Sequence, residues 1–181
     1  AYQLYRHRGH RLISTRQFAA AIADFERAAA LAEGKPVEVE PDGIPNQLNR
    51  PLSNSHFNIW YHLGLAYYLS GAFNQAIAAY RRCLEFCDND DSIVATIDWL
   101  YMSYRRDGQH AAAAELLTRI TPDMEIIEDQ AYHKRLLMYK GLLTPNDLMP
   151  AATDADTDEL TIVTQGYGVG SHAPASIWGG V

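Results

Sequence analysis

The stretch "WYHLGLAYYLSGAFNQAIAAYRRCL", residues 60–84, decides the fold. Trp60, Leu63, Gly64 and Tyr67 recur at the spacing of one helical stripe. Ser70 and Gly71 break that helix. A second stripe follows, made of Phe73, Ala76, Ile77, Tyr80 and Leu84. Two amphipathic helices joined by so short a turn form an antiparallel pair.

The same arrangement appears twice more. At the start, Tyr5, Gly9 and Leu12 are followed by the turn "STRQ" and then by Phe18, Ala21, Ile22, Phe25 and Ala28. Setting Gly9 on Gly64 places Ala21 on Ala76 and Phe25 on Tyr80. A third copy runs through Ile97, Leu100, Tyr101 and Tyr104, breaks at Gly108, and resumes with Ala113, Leu117 and Ile120. Self-similarity at this period marks an array of stacked hairpins, each unable to bury its apolar face alone. Glycine and alanine sit where paired helices cross, and aromatic rings fill the space beside them.

These residues resemble the tetratricopeptide repeat family. Trp60, Leu63, Gly64, Tyr67, Ala76 and Tyr80 meet its pattern W-x2-L-G-x2-Y followed by A-x3-F, with Tyr for Phe. The first copy matches at Gly9, Ala21 and Phe25 but carries Arg8 in place of Leu, and the third has Tyr101 in place of Gly. Glu33 and Asp88 stand where the family has a closing proline. The chain looks most like bacterial proteins that carry such repeats with a long insertion between two of them. The resemblance implies an all-α fold, a right-handed solenoid of about three to four helix pairs. It also implies a non-catalytic scaffold for a protein or peptide. The alternatives are a self-associating structural protein and an accessory domain of a larger one.

Expected boundaries follow. The helical array spans 1–149, with an inserted loop at 33–55 holding four prolines between 34 and 55. That loop either folds against the groove or extends into solvent; "VEVEPDG" has the makings of a short extended stretch and turn, and Ser53 or Ser55 of a cap for the next helix. Another helix is expected in "DMEIIEDQAYHKRLLMYKGLL", with Ile127, Ala131, Leu136, Leu137 and Tyr139 inward. Thr144 and Pro145 should start a short one through Met149. Residues 150–181 read as an acidic linker and loose tail with at most a partial helix. An array stopping in mid-pair lacks a closing cap, so a piece of a longer protein is expected.

In the resembled family the first helix of each pair lines a concave groove. Carrying that phase through the copies gives Arg6 and His10, then Asn58, Tyr61, Leu65 and Tyr68, then Asp98, Met102 and Arg105, then His133 and Lys140. Cations at both ends and aromatics between them suit an extended or helical peptide with an acidic end. The set departs from the two-Lys, two-Asn, one-Arg clamp for chaperone tails, which are therefore not the expected ligand.

Other chemistries find little support. The formal charge is −7, from 15 basic and 22 acidic residues, against the balance that phosphate binding needs. The cluster "YRHRGHR", residues 5–11, disperses its basic groups around a helix, and two histidines do not complete a metal site. Cys83 and Cys87 share a helical face as core residues. Asp88, Asp90 and Asp91 lack the spacing of a calcium loop and are expected to cap the third pair. "GYGVG", residues 166–170, has no GK[ST] after it. No catalytic constellation can be assembled, so no enzyme activity, cofactor or metal is expected. No apolar run reaches membrane-span length, and "AYQLYRHRGH" has charges where a signal peptide has its apolar core. The compartment stays open.

Overall fold

The computed structural model describes residues 1–40 and 45–148. The expected tail at 150–181, with Met149, lies outside them. The described residues form eight α-helices and one two-stranded sheet: α1 (Tyr2–Ser14), α2 (Phe18–Ala32), β1 (Val39–Glu40), β2 (Ser53–Asn54), α3 (Ser55–Leu69), α4 (Phe73–Cys83), α5 (Asp90–Arg106), α6 (His110–Leu116), α7 (Gln130–Tyr139) and α8 (Pro145–Leu148). Short 3-10 turns extend α4 and α6. The fold is all-α, as the repeat pattern predicts.

The hairpin turns repeat more faithfully than the sequence. After α3 the Gly71 N–H donates to Tyr68 O and the Ala72 N–H to Tyr67 O. After α5, Gly108 and Gln109 donate to Arg105 O and Tyr104 O; after α7, Gly141 and Leu142 donate to Met138 O and Leu137 O. Each turn is a Schellman motif, which needs a residue at positive φ just past the helix. Gly71, Gly108 and Gly141 supply it at φ near +80°. After α1 the same bonds are made by Arg16 and Gln17, with Arg16 held at φ +59°. Four first helices, α1, α3, α5 and α7, thus end alike, and α7–α8 is a fourth hairpin.

The first two hairpins close on glycine. A Cβ on Gly9 would stand 2.8 Å from Phe25 Cε2, and one on Gly64 2.7 Å from the Tyr80 ring. Phe25 and Tyr80 are fully buried. Arg8, in the slot where the repeat has leucine, makes a two-point ion pair with Asp24 at 2.6 Å for each contact, so α1 and α2 are clasped by charge there. Trp60 is half-buried against the Ala21, Phe25, Leu63 cluster.

Three local expectations change. Asn54 caps α3, its side chain accepting the Phe57 N–H at 2.8 Å, while Ser53 sits in β2 and Ser55 begins the helix. Asn89 caps α5 in a capping box with Ser92, which leaves the aspartates free for other work. Asp91 is buried and accepts the N–H groups of Ile127, Glu128 and Asp129 at 2.7–3.2 Å, and Asp90 accepts that of Glu125. Residues 125–129 are therefore a loop tied to α5, and α7 begins only at Gln130, after Ile127. Thr144 with Asp147 opens α8 as expected.

Candidate functional site

The residues expected for the groove lie on α1, α3, α5 and α7, and the inserted segment and α7 cover those on the first three. Over the N-terminal half lies the described part of the insertion. β1 pairs antiparallel with β2, Val39 opposite Asn54 and Glu40 opposite Ser53. The Ser55 N–H donates to Glu38 O at 2.8 Å, which fills one of the first-turn donors that α3 cannot satisfy itself. Glu40 turns toward the helices and is half-buried, Glu38 is exposed but reaches them with its carboxylate, and Val37 and Val39 are 50 % and 67 % exposed. Tyr2 Oη and Gln3 Nε2 donate to Glu38 Oε2 at 2.7 and 3.1 Å. Arg6 Nη2 and Asn58 Nδ2 reach Glu40 Oε2 at 2.5 and 2.6 Å, and Asn58 also donates to Ser53 Oγ. The Arg6 and Glu40 side chains are only 15 % and 16 % exposed, so the pair is largely shielded from water.

Over the other half lies α7. Asp98 and Arg135 form a two-point ion pair with both side chains essentially inaccessible. Met102 and Tyr68 are buried in the same cluster. Tyr61 Oη donates to Tyr132 Oη at 3.4 Å, and His133 Nε2 pairs with Thr121 O at 2.8 Å. Arg105 is half-buried and donates to Tyr101 Oη at 3.1 Å, and Tyr101 stacks face to face on Tyr139 at 4.4 Å. Of the eleven groove residues expected, Arg6, Asn58, Tyr61, Asp98, Arg105, His133 and Lys140, whose Nζ donates to Ile120 O, are thus engaged within the chain. His10 and Lys140 are exposed, the His10 ring set edge-on to His62 at 4.9 Å. Helical phase shows which way a side chain leaves its own helix; it carries no information on what then covers it. Tyr2, Gln3, Glu38 and Glu40 were not anticipated. Their signal is the alternation V-E-V-E beside a helix, α1, that contains three arginines and no acid.

Electrostatics follow the packing. Burial lowers His62 to about 3, against the opposing hydrogen bond from its Nδ1 to Asn58 O at 2.7 Å, and His10 and Arg6 add to the lowering. His10 is also lowered, by burial and then by Arg6, Arg11 and His7. Both rings are held below the ordinary imidazole range, and Arg6 and Arg11 are the arginines whose charge acts on them. Burial and the nearby Asp91 raise Asp129 to about 7. Cys83 and Cys87 place both thiols within 3.5 Å of Thr96 Oγ1. Among the described residues no group of three or more His, Cys, Asp or Glu side chains is placed to hold a metal.

The opposite side holds a cleft of about 910 Å³ between α2 and α4. Trp60, Leu63 and Tyr67 of α3 form its floor, Ala29, Ala30 and Ala78 its walls, and Glu26, Glu33 and Arg82 its rim. Tyr67 Oη crosses to Glu26 at 2.5 Å, and burial with that carboxylate raises the phenol to about 12. Alanines on the outward faces of both second helices leave Trp60 partly uncovered, which is a signal readable from the sequence.

No helix among the described residues is long and apolar enough to cross a membrane. Residues 57–90 match the sequence model of the tetratricopeptide repeat family. They cover α3 from Phe57 onward, α4 and the first residue of α5, the unit in which Gly64 lies against Tyr80. No curated protein and no solved structure matches the chain.

Proposed function

We propose that this chain, which carries a tetratricopeptide repeat, is a non-catalytic scaffold that binds a protein or peptide along the face of its first helices. The observation that carries the reading is that an extended segment of the chain itself already lies there, held through its side chains by Tyr2, Arg6 and Asn58. A surface that takes one extended segment has the donors and spacing to take another. Within that reading the contact residues are Arg6, His10 and Asn58 first, with Tyr61 and Arg105 further along.

The apolar cleft over Trp60 favours a second reading, in which a partner packs between the second helices. A photoreactive group at position 10, compared with one at position 75, separates the two. Partner crosslinks from position 10 support the first-helix face. Crosslinks from position 75 alone assign binding to the cleft. A product of twice the chain mass from either position points to self-association instead.

A further inference from the structure

We propose that residues 37–40 are an internal competitor for the first-helix face, and that the partner they yield to presents carboxylates at alternate positions of an extended segment. The inference rests on the scaffold reading above and adds the chemistry of the partner.

The strand meets the helix donors through its carboxylates: Glu40 is half-buried against Arg6 and Asn58, and Glu38, itself exposed, rests on Tyr2 and Gln3, while Val39 is exposed. The helix face therefore selects for charge. It has two acceptor-reading corners in register with the alternation of a strand, Tyr2 with Gln3 for one side chain and Arg6 with Asn58 for the side chain two residues on. The charge is local. The chain as a whole is at −7, yet α1 carries Arg6, Arg8 and Arg11 with no acid of its own.

The internal occupant fits incompletely. Arg8 and Arg135 each grip their carboxylate at two points, through Nε and Nη2. Arg6 meets Glu40 through one oxygen, which it shares with Asn58, and its Nε is buried without a partner. A carboxylate that engaged Nε and Nη2 together would satisfy a donor that Glu40 leaves empty, and such forked pairs are the stronger ones. The ladder that holds the strand is two residues long on each side, too short to be stable by itself. Glu40 therefore stays by virtue of tethering, since a linked segment competes at an effective concentration of about millimolar. Removing its charge exposes the site to external ligand.

The test uses the whole chain and fluorescein-labelled acetyl-Pro-Val-Glu-Val-Glu-amide, read by anisotropy at low salt. The E38Q/E40Q protein should bind this peptide at least about tenfold more tightly than the unaltered protein. A second variant, V37G/E38S/V39G/E40S, detaches the strand outright and should bind as tightly or better. Adding Arg6→Gln should abolish the gain, and the Gln-for-Glu peptide should not bind. Equal binding by all proteins, or binding indifferent to Arg6→Gln, overturns the proposal. Crosslinking from position 10 that persists while the peptide fails would leave the scaffold reading intact and remove the acidic partner. Arg6-dependent peptide binding without any crosslinked partner would keep the site and remove the scaffold.

Discussion

The first two hairpins and the last two solve one packing problem in opposite ways. In α1–α2 and α3–α4 an aromatic ring lies directly on a glycine at the crossing, and the Arg8–Asp24 ion pair stands beside that crossing in α1–α2. In α5–α8 the glycine is replaced by Tyr101, which stacks on Tyr139. The neighbouring first helices are joined by the buried Asp98–Arg135 pair and by the carboxylate of Asp91 gathering three N–H groups. The N-terminal half is held by shape and leaves its first-helix face to be covered by an inserted strand. The C-terminal half is held by hydrogen-bonded charge and covers that face with a helix.

If so, the largest loss should come from the charged half. Arg135→Met strands the Asp98 carboxylate in the core and should cost about 3–5 kcal/mol in urea unfolding. The double variant Asp98→Leu with Arg135→Met should recover most of that loss. A single-variant loss under about 1 kcal/mol, the value of an exposed pair, would erase the distinction between the halves.

Next comes the shape-held half. Gly64→Ala adds a methyl 2.7 Å from the Tyr80 ring and should destabilise by about 1–3 kcal/mol, although alanine is the better helix former. Tyr80→Leu in the same chain should relieve part of this, and additive losses would show that the ring and the glycine are not coupled.

The halves should also differ in their response to acid. His62, lowered to about 3 from an ordinary 6.5, contributes stability that is present above pH 6.5 and lost as pH falls toward 3. Asp129, raised to about 7 from 3.8, contributes stability that is present below pH 3.8 and lost as pH rises through 7. Between pH 4 and 6.5 the two slopes oppose each other. Asp129→Asn should unmask a loss on acidification of up to about 1.4 kcal/mol per pH unit, and His62→Gln the reverse trend. Parallel pH curves for both variants would contradict the assignment.

The smallest effect sharpens the likeness among hairpins. Arg16 occupies the left-handed position that glycine takes in the other three turns. Arg16→Gly should stabilise by up to about 1 kcal/mol, and a loss of stability would mean that this turn is held by something the other three lack.

The helix pairs were readable because side-chain size repeats with the fold. Gly9, Gly64, Phe25 and Tyr80 mark the crossings, and Gly71 and Gly108 mark the turns. The fourth helix was legible from Leu136, Leu137 and Tyr139, but its start was not, because what stops it is Asp91, 36 residues upstream of Ile127. Asn54 and Asn89 displaced the serines and aspartates expected as caps, a choice made among neighbouring residues of similar propensity. Two-residue strands have no period to detect, so the strand over α1 and α3 was visible only as an alternation of Val and Glu. The residues expected for the groove lie on α1, α3, α5 and α7. Their partners, Glu40 for Arg6 and Arg135 for Asp98, lie 34 and 37 residues away, and no spacing rule connects them.

Hydrogen exchange at the Ser55 amide reports most directly on whether the inserted strand sits on the first-helix face. Ser55 is the first residue of α3, so its N–H has no acceptor within the helix, and Glu38 O supplies one. The structure predicts slow exchange at Ser55 in the unaltered chain and fast exchange in V37G/E38S/V39G/E40S. Fast exchange in both would mean that the strand does not rest there.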